Sequence, residues 1–147
     1  MEATILIFIR FEEIKSGWCR ITFGTNEVEV ELSVSYLTDF ISDLLNRTAI
    51  LLEGSEYEVI NCYYEPGQYI LSLNRLMDQI SISIEETRST GSINIFNGSD
   101  HLKKFGRQLL KELERISNDI SIKQYNNEWK YSFPEHAIER LRKAVKS

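Results

Sequence analysis

The residues from which most reaction centres are built are scarce in this sequence. Two histidines, two cysteines, two prolines and seven glycines are spread over 147 residues. Neither His101 nor His136 has a second His, Cys or carboxylate at a metal-ligand spacing such as HExxH, and no stretch has the acidic spacing of an EF-hand loop. The bland account of both is a surface histidine, and no metal is expected. The glycines do not cluster. GxxxxGK[ST], GxGxxG after a strand, and GxSxG are all missing, which removes the common nucleotide sites and the hydrolase nucleophile elbow. Cys19 and Cys62 lie far apart inside strand-like runs, where a buried, reduced, inert thiol is the rule; a nucleophile paired with a folded-in histidine is the sharper and weaker alternative. No apolar run approaches the roughly 20 residues needed to span a bilayer. The opening MEATILIFIRFEE reads as a first strand and not as a signal peptide, because an acid precedes its short apolar run and no small-residue cleavage site follows. These absences lead to the expectation of a cytoplasmic protein with no catalytic residue, no cofactor and no membrane partner.

Charge is the next constraint. The formal net charge is −5, but residues 1–97 carry 6 Lys/Arg against 15 Asp/Glu, whereas residues 98–147 carry 11 against 7. An acidic first two thirds repels phosphate backbones, so no nucleic-acid partner is expected. The basic end alternates in sign, as a solvated helix does.

What the sequence does contain is pattern. Residues 33–54 place Leu37, Phe40, Ile41, Leu44, Leu45, Ala49 and Leu52 at helical spacing, with Ser35 as a candidate N-cap and Gly54 as a candidate C′ residue. Strand runs flank this helix: 4–11, 18–23 and the strictly alternating EVEVEL at 27–32 before it, and 56–64, 69–74, 79–85 and 92–96 after it. Val28, Val30 and Leu32 are expected to face the core. Pro66-Gly67 has the signature of a type II turn. A helix is expected over 99–117, with Ser99 or Asp100 as N-cap, followed by polar connection from Asn118 to Asn127. Trp129, Tyr131 and Phe133 alternate like a strand, and Pro134 opens a last helix over 135–146. The chain is long enough for one domain with its own core. The expected fold is α+β: an antiparallel sheet of about six or seven strands, a central helix between the strand groups, and two C-terminal helices packed on it.

Functional candidates are few. Asp39 and Asp43 lie four apart on the central helix. A solvated face, with Arg47 and the helix dipole offsetting the charge, is the plain account, and a general acid/base pair is the sharper one. Trp129, Tyr131 and Phe133 serve most simply as an anchor for the last helix, each burying 150–250 Å² if enclosed. Glu27, Glu29 and Glu31, with Tyr63, Tyr64 and Glu65 of a tyrosine-rich hairpin, form the preferred contact surface for another protein, whose basic groups the acids would attract.

Three short motifs carry a resemblance. Ser35-Tyr36-Leu37-Thr38-Asp39 opens a helix, Glu65-Pro66-Gly67-Gln68-Tyr69 begins a hairpin, and Trp129 is followed by Phe133-Pro134 and a terminal helix. In this order they resemble a family of small uncharacterised bacterial proteins, a domain of unknown function, over most of the chain from Tyr36 onward. The resemblance implies no activity and carries no site residue. By analogy, small acidic bacterial proteins of this sort look like immunity proteins, which neutralise a toxin by binding it. The leading expectation is a non-enzymatic protein-binding module. The alternatives are a small-ligand or enzymatic domain using Asp39, Asp43 or Glu65 in a pocket between sheet and helices, and a structural homodimer joined through its acidic strand.

Overall fold

Alternation of apolar and polar side chains builds the first sheet. In the computed structural model, which describes residues 6–147, β1 (Phe8–Lys15), β2 (Trp18–Gly24) and β3 (Glu29–Ser35) form an antiparallel meander in that order. Ile9, Phe11, Cys19, Ile21, Phe23, Leu32 and Val34 are buried on one face. Thr4 and Ile5 of the expected first strand lie outside the described residues. The strand runs on past Phe11 to Lys15, with a register shift between Phe11 and Glu13 that leaves both Glu12 and Glu13 exposed. β3 starts later than its alternation implied, so Val28 is exposed, contrary to the expected core position.

The central helix, α1 (Phe40–Leu52), starts later than expected, its cap lying four residues beyond Ser35. Its N-cap is Asp39, whose carboxylate accepts the Ser42 N–H at 3.3 Å. Ser35 is instead the last residue of β3, and its hydroxyl donates to the Tyr63 carbonyl at 2.9 Å. Leu37 therefore precedes the helix and is 52% exposed, which corrects its place on the inner stripe. Phe40, Ile41, Leu44, Leu45, Ala49 and Leu51 are buried as a helical face. Gly54 closes the helix at C′: its φ is +127°, its N–H donates to Leu51, and the Ser55 N–H donates to Ile50, both at 3.1 Å.

The second sheet has the order β4 (Tyr57–Tyr63), β5 (Gln68–Leu76), β6 (Gln79–Arg88), β7 (Gly91–His101), all antiparallel. The protein is thus α+β, with seven antiparallel strands among the described residues, divided between two sheets. Side-chain contacts bridge the sheets: Ser35 bonds to Tyr63, and the rings of Phe23 (β2) and Phe96 (β7) lie 5.8 Å apart. The β4–β5 turn is not type II. Its Glu65–Pro66 bond is cis and Gly67 does not have a positive φ; a Cβ at Gly67 would meet the Tyr64 phenol, which would have to shift.

Three helices follow: α2 (Leu102–Asp119), α3 (Ile122–Trp129) and α4 (Glu135–Lys146). β7 takes the first residues of the expected second helix. Asp100 is no cap; it is fully buried and accepts the Ile7 N–H at 3.1 Å. α3 replaces the expected polar connection, capped by the Ser121 hydroxyl, which accepts from the Gln124 N–H at 3.0 Å. Trp129 is its last turn, not part of a strand, and is fully buried. α2 and α4 approach closely at Gly106, where a Cβ would come within 2.8 Å of Val145.

α2 also closes the open edge of β1. Alternate residues of an edge strand aim both N–H and C=O outward. Gln108 accepts from the Ile9 N–H at 2.7 Å and donates to the Ile7 carbonyl at 2.9 Å. One turn on, Glu112 accepts from the Phe11 N–H at 3.0 Å, and Arg115 donates to the Phe11 carbonyl at 2.6 Å. A helical turn and a two-residue strand step are both about 6 Å, so one helix face matches the strand. No helix among the described residues is long and apolar enough to cross a membrane.

Candidate protein-binding surface

The outer face of the first sheet carries the acids expected to meet a partner. Glu29 and Glu31 are exposed on β3, while Glu27 sits in the β2–β3 turn, its N–H bonded to the Thr25 hydroxyl at 3.2 Å. Cross-strand neighbours decide their charge. Arg10 and Thr22 stand in register with Glu31, and Arg20 stands one row along. Arg20 lies 3.1 Å from Glu13 and 3.7 Å from Glu31, and Arg10 lies 3.9 Å from Glu12. The face is therefore a mixed network with an acidic excess. Exposed pairs of this kind add little stability.

The tyrosine-rich hairpin presents less than its composition implied. Tyr64 stacks on Tyr69 with ring centroids 4.8 Å apart, donates its hydroxyl proton to Glu86, and accepts from Arg88 at 2.9 Å. That hydrogen bond from Tyr64, reinforced by Arg88, holds the Glu86 carboxyl below its ordinary range. Desolvation comes first in raising the Tyr64 hydroxyl, with the bond to Glu86 next. Burial pushes Tyr69 up to about 12. Tyr64 is thus committed to the hairpin, while Tyr63 and Glu65 remain exposed.

An apolar patch that the sequence did not single out adjoins Tyr63. Trp18 and Tyr36 are 44% and 48% exposed, next to the outward Leu37. Their backbones are fastened to one another. Trp18 pairs across the sheet with Ser35, the Tyr36 N–H donates to the Gly17 carbonyl at 2.9 Å, and Ser35 reaches Tyr63. The Tyr36 ring covers Gly17, where a Cβ would meet it at 2.6 Å. The Tyr36 carbonyl in turn accepts the Tyr131 hydroxyl at 2.6 Å. The four side chains together offer on the order of 400 Å² of accessible surface, within the range of functional patches on monomers. Glu31 lies about 13 Å along β3 from Ser35 and Glu29 about 20 Å, so the acids and the tyrosine hairpin occupy opposite ends of that strand. The signal available in the sequence was Trp18 itself, two residues from Arg20 and therefore on the same outward face.

The carboxylate pair on α1 behaves differently from a solvated face. Desolvation raises the Asp39 carboxyl, opposed by hydrogen bonds from Trp129 and Ser42. Asp43 is raised by desolvation and then by Asp39, with Arg47 opposing. Near them the Tyr125 hydroxyl is buried without a hydrogen-bond partner among the described residues, and burial followed by the Asp39 charge raises its ionisation. Asp39 is committed to structure: it caps α1 and holds Trp129. Glu65 lies in the exposed β4–β5 turn. Cys19 and Cys62 are buried free thiols, raised by burial, so neither is poised as a nucleophile. His101 sits at the end of β7, its Nδ1 2.9 Å from the Gln79 amide, and His136 lies exposed in the first turn of α4. No family model, curated protein or solved structure matches the chain.

Proposed function

We propose that the protein is a non-enzymatic binding module for another protein, contacted through Trp18, Tyr36, Leu37 and Tyr63. The observation that carries this reading is the clustering of four large, exposed apolar side chains on backbone segments that are hydrogen-bonded to each other. Rigid aromatic anchors lose little conformational freedom on binding and are the residue types that dominate interface energetics. Glu65 stands beside Tyr63, and Glu31, Glu29 and Glu27 extend an acidic field from the patch toward the far end of β3. That arrangement favours a basic partner and speeds its approach. An immunity-type inhibitor of a toxin is the specific form we favour. The two unpaired buried thiols support a reducing compartment such as the cytoplasm.

The test uses the whole chain immobilised in native lysate, beside Trp18→Ala/Tyr63→Ala and Glu31→Gln/Glu65→Gln variants of unchanged melting temperature. A partner retained by the wild type, lost by the aromatic variant and weakened by salt and by the acidic variant supports the reading. Capture that both variants share equally counts against it. A solution mass of twice the chain, abolished by the aromatic variant, would identify the partner as a second copy.

A further inference from the structure

Among the described residues, the two most exposed large apolar side chains are neighbours: Leu76 is 77% and Met77 83% exposed. They form the tip of the β5–β6 hairpin. Met77 has φ +58°, a conformation in which a long unbranched side chain is uncommon and which Gly, Asn or Asp would fill more readily. Neither packing nor backbone preference accounts for Leu-Met at this turn.

The tip rests against the start of α2, where the Asp78 carbonyl accepts the Leu102 N–H at 2.8 Å. Cations surround it. Arg75 donates through Nε to the Met77 carbonyl at 2.7 Å and through Nη1 to Leu51 at 2.6 Å. Lys103, Lys104 and Arg107 occupy the first two turns of α2, and Lys143 and Lys146 the last turn of α4, beside the Gly106–Val145 contact. A cavity of about 510 Å³ opens here, with Arg75, Lys103, Lys104 and Arg107 on its polar side and Leu52 and Leu102 on its apolar side. Three of these cations have internal partners: Lys104 lies 3.7 Å from the buried Asp100, Lys103 donates to the Ser147 carbonyl, and Arg75 holds the carbonyls above. Asp78 is the one acid lining the cavity. Four lining cations against Asp78 and the Asp100 that faces Lys104 leave this end positive in a chain whose net charge is −5.

We propose that this end of the molecule docks on an anionic lipid surface, with Leu76 and Met77 entering the acyl boundary and the surrounding cations holding phosphate headgroups. The charges choose the occupant: the four cations that line the cavity beside an apolar wedge match a layer that offers dense anions above hydrocarbon. A two-residue turn is convex, which suits insertion better than it suits a flat protein face. Such contact needs no spanning helix; Asp78, in the turn itself, is the acid that meets the surface, and acids farther away than a Debye length of roughly 8–10 Å are largely screened. The site is also separate from the protein-binding patch. β5 runs from the Tyr63–Glu65 turn to Leu76, about 27 Å, so both surfaces can be occupied at once.

The test is co-sedimentation of the full chain with vesicles of phosphatidylcholine alone and of an equal mixture with phosphatidylglycerol. Binding is expected to the mixed vesicles only, to fall with salt, and to weaken at least about tenfold in Lys103→Glu/Arg107→Glu. Leu76→Ser/Met77→Ser, at solvent-exposed positions and checked by an unchanged melting temperature, is expected to lose it comparably. Absence of binding to the mixed vesicles overturns the proposal, as does equal binding to both vesicle types. Retention by the Leu76→Ser/Met77→Ser variant, together with release by free nucleic acid, overturns it in favour of a general polyanion surface.

Discussion

The indole Nε1–H of Trp129 donates to the Asp39 carboxylate at 2.8 Å, joining residues 90 apart in sequence. The same carboxylate oxygen caps α1 through the Ser42 N–H. One side chain therefore fixes the start of the central helix and the end of α3. It does so while partly desolvated, which is why its carboxyl is raised.

Asp39→Asn and Asp39→Ala should differ in sign or nearly so. A carboxyl raised on folding opposes stability above its folded pKa, and that opposition is relieved as pH falls through it. Asparagine keeps an acceptor for both N–H groups and removes the charge, so Asp39→Asn should be neutral or mildly stabilising near neutral pH. Alanine removes the cap and leaves a buried indole N–H unpaired, at a cost of about 2–4 kcal/mol. Urea unfolding of the two variants decides it.

Gln108 supplies both a donor and an acceptor to the edge of β1. Gln108→Glu keeps the bond from the Ile9 N–H but cannot donate to Ile7, whereas Gln108→Ala loses both. The expected order of stability is wild type, Glu, Ala, with Ala costing about 1–3 kcal/mol. Hydrogen exchange at the Ile9 amide should quicken in Gln108→Ala and stay near wild type in Gln108→Glu.

Period carried most of the fold in the sequence. Ile80, Ile82 and Ile84 alternate and are buried, and Phe40 to Leu51 repeat at helical spacing and are buried. What failed were features set by partners distant in sequence. Leu37 fits the helical stripe, yet Asp39 outcompetes Ser35 as cap because Trp129 fastens it there. Asp100 looks like a cap but is claimed by the Ile7 N–H, 93 residues away. Trp129, Tyr131 and Phe133 have a two-residue period, but Ser121 had already started a helix through Tyr125 and Trp129. For the candidate surface, Glu31, Tyr63 and Glu65 were legible as exposed groups. The pairing of Glu31 with Arg20 and the withdrawal of Tyr64 onto Tyr69 and Glu86 were not, because each depends on strand register.

The Tyr64–Glu86–Arg88 cluster should make stability depend on acid. Glu86 is held below its ordinary pKa, first by Tyr64 and then by Arg88. A lowered carboxyl contributes stability that is present above the unfolded value of about 4.3 and is lost as pH falls through the folded value. Tyr64→Phe removes the largest cause. Its melting temperature should lie below wild type near neutral pH, and the gap should close in acid; a gap independent of pH would show that the ring stacking on Tyr69, and not the hydroxyl, is what matters.

Leu37 and Leu44 stand seven residues apart, at a spacing that on a continuous helix would give them the same face, but they have opposite fates. Leu44 is fully buried on α1, packed in the common core, and Leu44→Ala should cost about 2–5 kcal/mol through lost burial and the cavity left behind. Leu37 precedes the helix and lies in the exposed patch, so Leu37→Ala should change stability by no more than about 0.5 kcal/mol. The pair separates folding from recognition. If Leu37→Ala unfolds in urea with the wild-type midpoint yet captures less partner, the patch is a binding surface built on an intact scaffold. If it destabilises the chain as Leu44→Ala does, the helix begins earlier than Phe40 and Leu37 belongs to the core, which would remove one of the four anchors.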